Sequence, residues 1–198
     1  MSAEEVVIGW DIGGAHLKAV SLNSSGAIVR CIQLPCPLWQ GLQHLERVVD
    51  QILANSSTTH HAMTMTGELV DLFANRSEGV IAIANTMAKK LDGKPLHFFA
   101  GEKGFVSLAQ CADHIENIAS MNWYATGAYA ASRTKQALVL DIGSTTSDLM
   151  IVDDGKVHAQ GNNDFTRMTS DELVYTGLVR TPLMALAQKV FFQEMEVG

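Results

Sequence analysis

The alternation of apolar and polar positions cuts the chain into strands and helices. "EVVIGWDIGG" (residues 5–14) is a short apolar run closed by glycines. "HLKAVSL" (residues 16–22) and "AIVRCIQL" (residues 27–34) read as two more strands, separated by the turn "NSSG". Pro35 and Pro37 end this unit. Leu38, Leu42, Leu45, Val49, Ile52 and Leu53 then recur at helical spacing, which predicts a helix over residues 38–56. "HAMTMTGEL" reads as a strand running into a loop. "SEGVIAIANTMAKKLDG" reads as a helix with Ser77 at its N-cap and Gly93 as its stop. Two short strands, "PLHFFAG" and "GFVSL", precede a helical stretch over residues 109–132 that divides into two pieces.

"QALVLDIGSTTSDLMIVDDGKVHAQ" then repeats the opening design: strand, small-residue turn, strand, tight turn at Asp154-Gly155, strand. Aligned on the turn, Asp11 matches Asp141, Gly13 matches Gly143, and Lys18 falls opposite Asp148. "TSDE" (residues 169–172) has the spacing of a capping box and predicts a last helical region. Strands interleaved with amphipathic helices predict an α/β fold with mixed sheets flanked by helices. The boundary falls before the second hairpin, giving domains over residues 1–135 and 136–198.

Composition narrows the class. The 198 residues are 47% hydrophobic and 18% charged, enough for a real core. A net charge of −7, with 14 scattered Lys and Arg, argues against a nucleic-acid binder. Cys31, Cys36 and Cys111 are odd in number and form no CxxC, which speaks for a reducing cytoplasm. The opening "MSAEEVV" lacks the pattern of a signal peptide, and no apolar run is long enough for a membrane helix. Walker A, GxGxxG, HExxH and GxSxG motifs are absent.

The chemistry points to the repeated turn. A strand ending in Asp-x-Gly followed by small residues suits phosphate. Gly13, Gly14 and Gly143 allow close backbone approach. Exposed N–H groups in a tight turn make an anion-binding nest. Asp11 and Asp141, at strand ends, can hold Mg²⁺, which bridges phosphate oxygens. Ser144, Thr145, Thr146 and Ser147 add hydroxyl donors. Two such hairpins facing each other would clasp one polyphosphate from both sides. Other residues have plainer readings. His60-His61 lack companion ligand spacing and read as loop residues. Trp10, Trp39 and Trp123 read as packing, as do Cys31 and Cys111. Cys36, between two prolines, reads as exposed. Arg180 reads equally as an anion contact or a helix-end residue.

The two hairpins resemble the phosphate motifs of the actin, sugar kinase and heat-shock ATPase superfamily. "DIGGAHLKAV", "MTMTGELVD" and "VLDIGSTTSDLMIV" are most similar to its hydantoinase A/oxoprolinase branch. With "EGV" (residues 78–80) and "YTGLVRTPLMALA" (residues 175–187), the resemblance extends to the group tied to tetrahydromethanopterin-linked C1 transfer and methanofuran synthesis. It implies an actin-like ATPase (ribonuclease H-like) fold. It implies Asp11 and Asp141 as the Mg²⁺ residues and Gly13, Gly14 and the Gly143–Thr146 turn as the phosphate cradle. Lys18 offsets phosphate charge, and Glu68 takes a proton in catalysis. The implied partner is a phosphorylated small molecule, with pyrophosphate release from a condensation; a homo-oligomer stays open. ATP-driven hydrolysis of a cyclic amide, small-molecule kinase activity, and non-catalytic nucleotide binding are the alternatives, with ATP then the second cofactor.

Two departures bear on this. Ala15-His16 stands where the superfamily pattern has Thr or Ser. No adenosine-binding glycine motif follows Gly161, so the second domain is expected to be incomplete, through truncation or completion by another chain.

Overall fold

The computed structural model describes residues 5–56 and 58–182, with the backbone of residues 190–192 and 195–197. Two compact units divide the chain, Met1–Ala125 and Thr126–Gly198.

Unit 1 is built on a six-stranded mixed sheet. Its strands are β1 (Val7–Ile12), β2 (His16–Leu22), β3 (Ile28–Pro35), β4 (His60–Met65), β5 (Leu96–Phe99) and β6 (Phe105–Ser107), in the order β3-β2-β1-β4-β5-β6. The β1-β2-β3 meander is antiparallel, and β4 and β5 add in parallel. This is the mixed, helix-flanked α/β arrangement expected for a ribonuclease H-like fold. Helices α1 (Leu42–Leu53) and α2 (Arg76–Lys90) supply Leu45, Val48, Val49, Ile52, Val80, Ile83 and Met87 to one continuous core. From the sheet, that core takes Ile8, Trp10, Ile12, Met63 and Met65, every second residue of β1 and β4.

A short α3 (Ile115–Ile118) and α4 (Asn122–Ala131) follow. Unit 2 holds β7 (Ala137–Ile142), β8 (Ser147–Asp153), β9 (Lys156–His158), α5 (Asp164–Thr169) and β10 (Leu173–Val174). β7 and β8 pair antiparallel, and β9 and β10 both pair with β8. Both residues of the Asp154-Gly155 turn have positive φ, 47° and 69°, the backbone twist a two-residue hairpin requires. A two-stranded hairpin, β11 (Val190–Phe192) and β12 (Met195–Val197), stands apart from both sheets. Among the described residues no helix is long and apolar enough to cross a membrane.

Several local expectations change. The first helix starts at Leu42, after a 3-10 turn over Leu38–Gln40. The N-cap of α2 is Asn75, not Ser77: its side-chain oxygen accepts from the Glu78 amide at 2.9 Å, placing Ser77 inside the first turn. "TSDE" does not open a helix. Thr169 ends α5, whose capping box is Asn163 with Thr166, and Leu173–Val174 is drawn into pairing with β8. His60 and His61 lie in β4, with His61 buried, because the strand begins one residue before the apolar run. Cys31 is exposed and Cys36 buried, the reverse of the sequence reading, because Cys31 sits on the outer face of β3 and Cys36 beneath the β1–β2 turn. Burial pushes the Cys36 thiol up, and the Cys111 thiol to about 11. Trp39 is exposed rather than packed. Arg180 lies in an irregular segment, not at a helix end. Residues 183–187 of the "RTPLMALA" stretch fall outside the described residues.

Candidate functional site

Each unit carries one copy of the hairpin, built to the same plan. In unit 1, β1 and β2 register Asp11 opposite Lys18, and the Gly13 amide donates to the His16 carbonyl at 3.0 Å. In unit 2, β7 and β8 register Asp141 opposite Asp148, and the Gly143 amide donates to the Thr146 carbonyl at 2.8 Å. Gly14-Ala15 and Ser144-Thr145 are the two tips.

The backbone at both tips is oriented by a later segment. The Gly14 carbonyl accepts from Leu38 N–H at 2.9 Å, and the Ala15 carbonyl from Cys36 N–H at 2.8 Å. The Ser144 carbonyl accepts from the amides of Val179 (3.0 Å) and Arg180 (2.8 Å), and the Gly143 carbonyl from Leu178 N–H at 3.0 Å. No hydrogen bond from a described residue takes the amides of Gly14, Ala15, Ser144 or Thr145. A tip whose carbonyls are tied down and whose amides are not is suited to an anion.

A side chain at these glycines would crowd the protein's own atoms. A Cβ on Gly13 would lie 2.9 Å from the His16 carbonyl oxygen, and one on Gly14 would lie 2.7 Å from Val70 Cγ1. A Cβ on Gly143 would lie 3.2 Å from the Thr146 carbonyl oxygen. In unit 2 a Cβ on Gly177 would collide with the backbone of Ser144 and Thr145, at 2.5 Å, so Gly177 lets residues 175–180 seat against the tip.

The charged groups differ between the copies. Lys18 Nζ donates to Asp11 Oδ2 at 2.9 Å in a partly exposed pair, while Asp11 Oδ1 is buried with no hydrogen-bond partner. In unit 2 the position of Lys18 is taken by Asp148, and the cation comes from α5. The buried Arg167 donates to Asp148 Oδ1 at 2.7 Å and to the Glu172 carbonyl at 3.0 Å. Burial raises the Asp148 pKa, against the pull of Arg167 and with a further push from Asp141. Among the tip hydroxyls, Ser147 is committed to the Thr176 carbonyl at 2.6 Å, while Ser144 and Thr145 lie 3.5 Å apart.

Glu68 is not a surface loop carboxylate. The 3-10 turn Gly67–Leu69 follows β4 directly below the first hairpin, held by the Thr66 amide on the Ile12 carbonyl at 2.9 Å. A Cβ on Gly67 would meet Leu38, Ile12 and Gly13. Glu68 is buried there, and its Oε1 accepts from Ser120 Oγ at 2.6 Å. Gly79 of α2 has no room for a side chain because the Glu68 backbone carbonyl would lie 2.6 Å from its Cβ. Ser120 has φ 54°, a left-handed backbone uncommon for a side-chain-bearing residue. No local sequence signal marks Ser120 or Arg167. Their roles arise from contacts distant in sequence.

In unit 1, Asp11 offers a buried carboxylate oxygen without a hydrogen-bond partner, the kind of hard oxygen donor that Mg²⁺ takes. The described residues contain no cluster of three or more metal-ligating side chains.

A model of the hydantoinase/oxoprolinase family matches residues 59–195, more than half of the chain. The chain belongs to the hydantoinase/oxoprolinase family. A relative from Methanocaldococcus jannaschii is 30% identical over 189 residues, 95% of this chain and 56% of its own length. It is named (4-{4-[2-(gamma-L-glutamylamino)ethyl]phenoxymethyl}furan-2-yl)methanamine synthase. A protein of the same name from Methanococcus vannielii is 40% identical over 60 residues, 30% of this chain and 27% of its own length. This hydantoinase/oxoprolinase chain thus spans about half the length of the first of these relatives. Among solved structures, an exopolyphosphatase from Cytophaga hutchinsonii aligns with a TM-score of 0.48 at 10% identity, over 77% of this chain and 48% of the other. The ethanolamine utilization protein EutJ from Carboxydothermus hydrogenoformans aligns with a TM-score of 0.45 at 14% identity, over 77% and 49%.

Proposed function

We propose that the Asp-x-Gly hairpin is a phosphate-binding element, present once in each unit, of a Mg²⁺-dependent enzyme that uses a diphosphate-bearing small molecule to form an aryl ether during synthesis of a methanofuran-type C1-carrier cofactor. The compound in the archaeal relative's name joins a phenol oxygen to a methylene on a furan ring. A phenol O–H and a furan–CH₂–diphosphate give that ether directly. The C–O bond to diphosphate breaks, its electron pair leaves with pyrophosphate, the aryl oxygen bonds the methylene carbon, and the phenolic proton passes to a base.

Each residue has a defined task in this reading. The tip amides and Lys18 stabilise the negative charge that builds on the leaving diphosphate. Lys18 is suited to this as a mobile point charge, already half-exposed beside Asp11. Asp11 in unit 1, and Asp141 in unit 2, are the carboxylates that would take a metal ion, which when bound neutralises part of the same charge. Glu68 is the proton acceptor, and reaching the phenol requires its turn to open, since the carboxylate is buried against Ser120.

The observation that supports the reading best is the repeated tip, with carbonyls tied and amides unengaged in both copies. Calorimetric titration with Mg²⁺, using pyrophosphate and ATP in parallel, tests it. Pyrophosphate should bind without an ATP preference, and Asp141→Asn should abolish that binding while the circular dichroism spectrum stays unchanged. Unaltered binding by the variant would defeat the assignment. A clear preference for ATP would support the second reading, ATP-driven opening of a cyclic amide, which the family match itself favours.

A further inference from the structure

The two hairpins leave different charges near their tips. In unit 1 an exposed cation comes from β2, as Lys18, and the segment that ties the tip, Pro35 to Gln40, carries no charged residue. In unit 2 the position of Lys18 is held by Asp148, and Arg167 is buried in its pair with that carboxylate. An anion at the Ser144-Thr145 tip would therefore meet Asp141 and Asp148, with the Arg167 guanidinium already committed. Like charges at that separation oppose binding unless a further positive charge stands there.

Arg180 is placed to supply it. Its segment is fastened to the second hairpin by backbone and hydroxyl groups. Ser147 Oγ donates to the Thr176 carbonyl at 2.6 Å, and Leu178 N–H to the Gly143 carbonyl at 3.0 Å. The Val179 and Arg180 amides both donate to the Ser144 carbonyl, at 3.0 and 2.8 Å. The Arg180 carbonyl in turn accepts from Gly177 N–H at 3.3 Å, so the Arg180 backbone is held on both sides. Burial of side chains does not explain this anchoring, since Leu178 and Val179 are 79% and 74% exposed. The Arg180 side chain is exposed too, and among the described residues no carboxylate pairs with it. Its backbone is thus fixed one hydrogen bond from the tip while its guanidinium is left to reach a ligand.

We propose that Arg180 is the phosphate-contacting cation of the second hairpin, binding phosphoryl oxygens together with the Ser144 and Thr145 amides. Its planar fork can take two oxygens of one phosphoryl group, where Lys18 offers a point charge. The hairpins then share one plan for an exposed cation, carried on β2 in unit 1 and on the tethering segment in unit 2. The inference rests on the reading of the hairpins as phosphate-binding elements.

The test follows the backbone amides of the isotope-labelled chain by NMR during titration with inorganic pyrophosphate. It compares the native protein with Arg180→Gln, Arg180→Lys and Lys135→Gln, the last removing the same charge from another exposed position of unit 2. The Ser144 and Thr145 amides should shift in the native protein. The affinity read at those amides should fall at least about tenfold in Arg180→Gln, fall less in Arg180→Lys, and stay native in Lys135→Gln. The melting temperature of Arg180→Gln should match the native value, because the side chain is exposed. Native affinity in Arg180→Gln would overturn the proposal. So would an equal loss in Lys135→Gln, which would reduce the effect to net charge, or a lowered melting temperature in Arg180→Gln, which would make the residue structural. Shifts at Gly14 and Ala15 with none at Ser144 and Thr145 would overturn it and leave the phosphate reading of the first hairpin intact. No shift at either tip would overturn both.

Discussion

His61 makes unit 1 sensitive to acid, and the size of the effect follows from its surroundings. Trp10 Nε1 donates to His61 Nδ1 at 3.2 Å, which fixes a neutral ring with its proton on Nε2. That Nε2 is buried without a hydrogen-bond partner. Burial, then the charges of Lys94 and His60, lower the pKa from 6.5 to about 4. The unfolded chain therefore takes up a proton on this ring near pH 6.5, and the folded unit only near pH 4. The contribution to stability is complete above pH 6.5 and is lost as pH falls through that window, at about 1.4 kcal/mol per pH unit. Across the window the loss comes to about 3 kcal/mol, a large share of the roughly 5–15 kcal/mol typical of a domain.

Urea unfolding between pH 7.5 and 4, followed by tryptophan fluorescence, measures this. Trp10, Trp39 and Trp123 are the only tryptophans and all lie in unit 1, so the signal reports on that unit. The reference protein carries Trp10→Phe with His61→Leu, removing donor and acceptor together so that no indole N–H is left unsatisfied. Carboxylates titrate in both proteins and cancel. The difference in unfolding free energy should be constant above pH 6.5 and move steadily against the native protein down to pH 4. A difference independent of pH over that range would refute the reasoning.

Three further perturbations probe the hairpins and their supports. Arg167→Met should destabilise unit 2 by about 3–5 kcal/mol by leaving Asp148 buried without its cation. Because Asp148 already has a raised pKa that the variant raises further, the deficit should shrink on acidification, as calorimetry from pH 7 to 4 would show. Gly13→Ala should strain the first turn through the 2.9 Å approach to the His16 carbonyl, weakening pyrophosphate affinity at least tenfold in titration while Gly26→Ala does not. Ser120→Ala removes the donor to Glu68 and should cost about 1–3 kcal/mol in unit 1 stability, whereas Ser120→Gly, free of the left-handed strain, should cost less than the alanine variant in the same urea assay.

What could be read from the sequence follows a physical division. Local pattern carried the strands of both hairpins, because every second residue of β1 faces the core and the Asp154-Gly155 turn needs positive φ at both positions. The repeat itself was visible because two antiparallel hairpins with the same register demand the same small-residue turn. Pattern failed where a tertiary contact outweighs local preference. Thr169 to Glu172 has capping-box spacing, yet no helix starts there, because Leu173 pairs with Asp148 on β8. Glu68 follows a glycine in a stretch that reads as a loop, yet it is buried, because Gly79 of α2 and Ser120 close over it from distant parts of the chain. The charge exchange between the hairpins shows the same division most sharply. Sequence alignment exposes the loss of Lys18 at Asp148, but not its replacement, because Arg167 returns from α5 across 19 residues. The two copies thus keep one backbone geometry and differ in where the cation is attached. It is half-exposed on a flexible stem in unit 1 and buried against Asp148 in unit 2. On the proposed function, an anion that draws Lys18 away from Asp11 would free Oδ2 beside the unpartnered Oδ1, and a metal ion at the same carboxylate would then bind more tightly in the anion's presence.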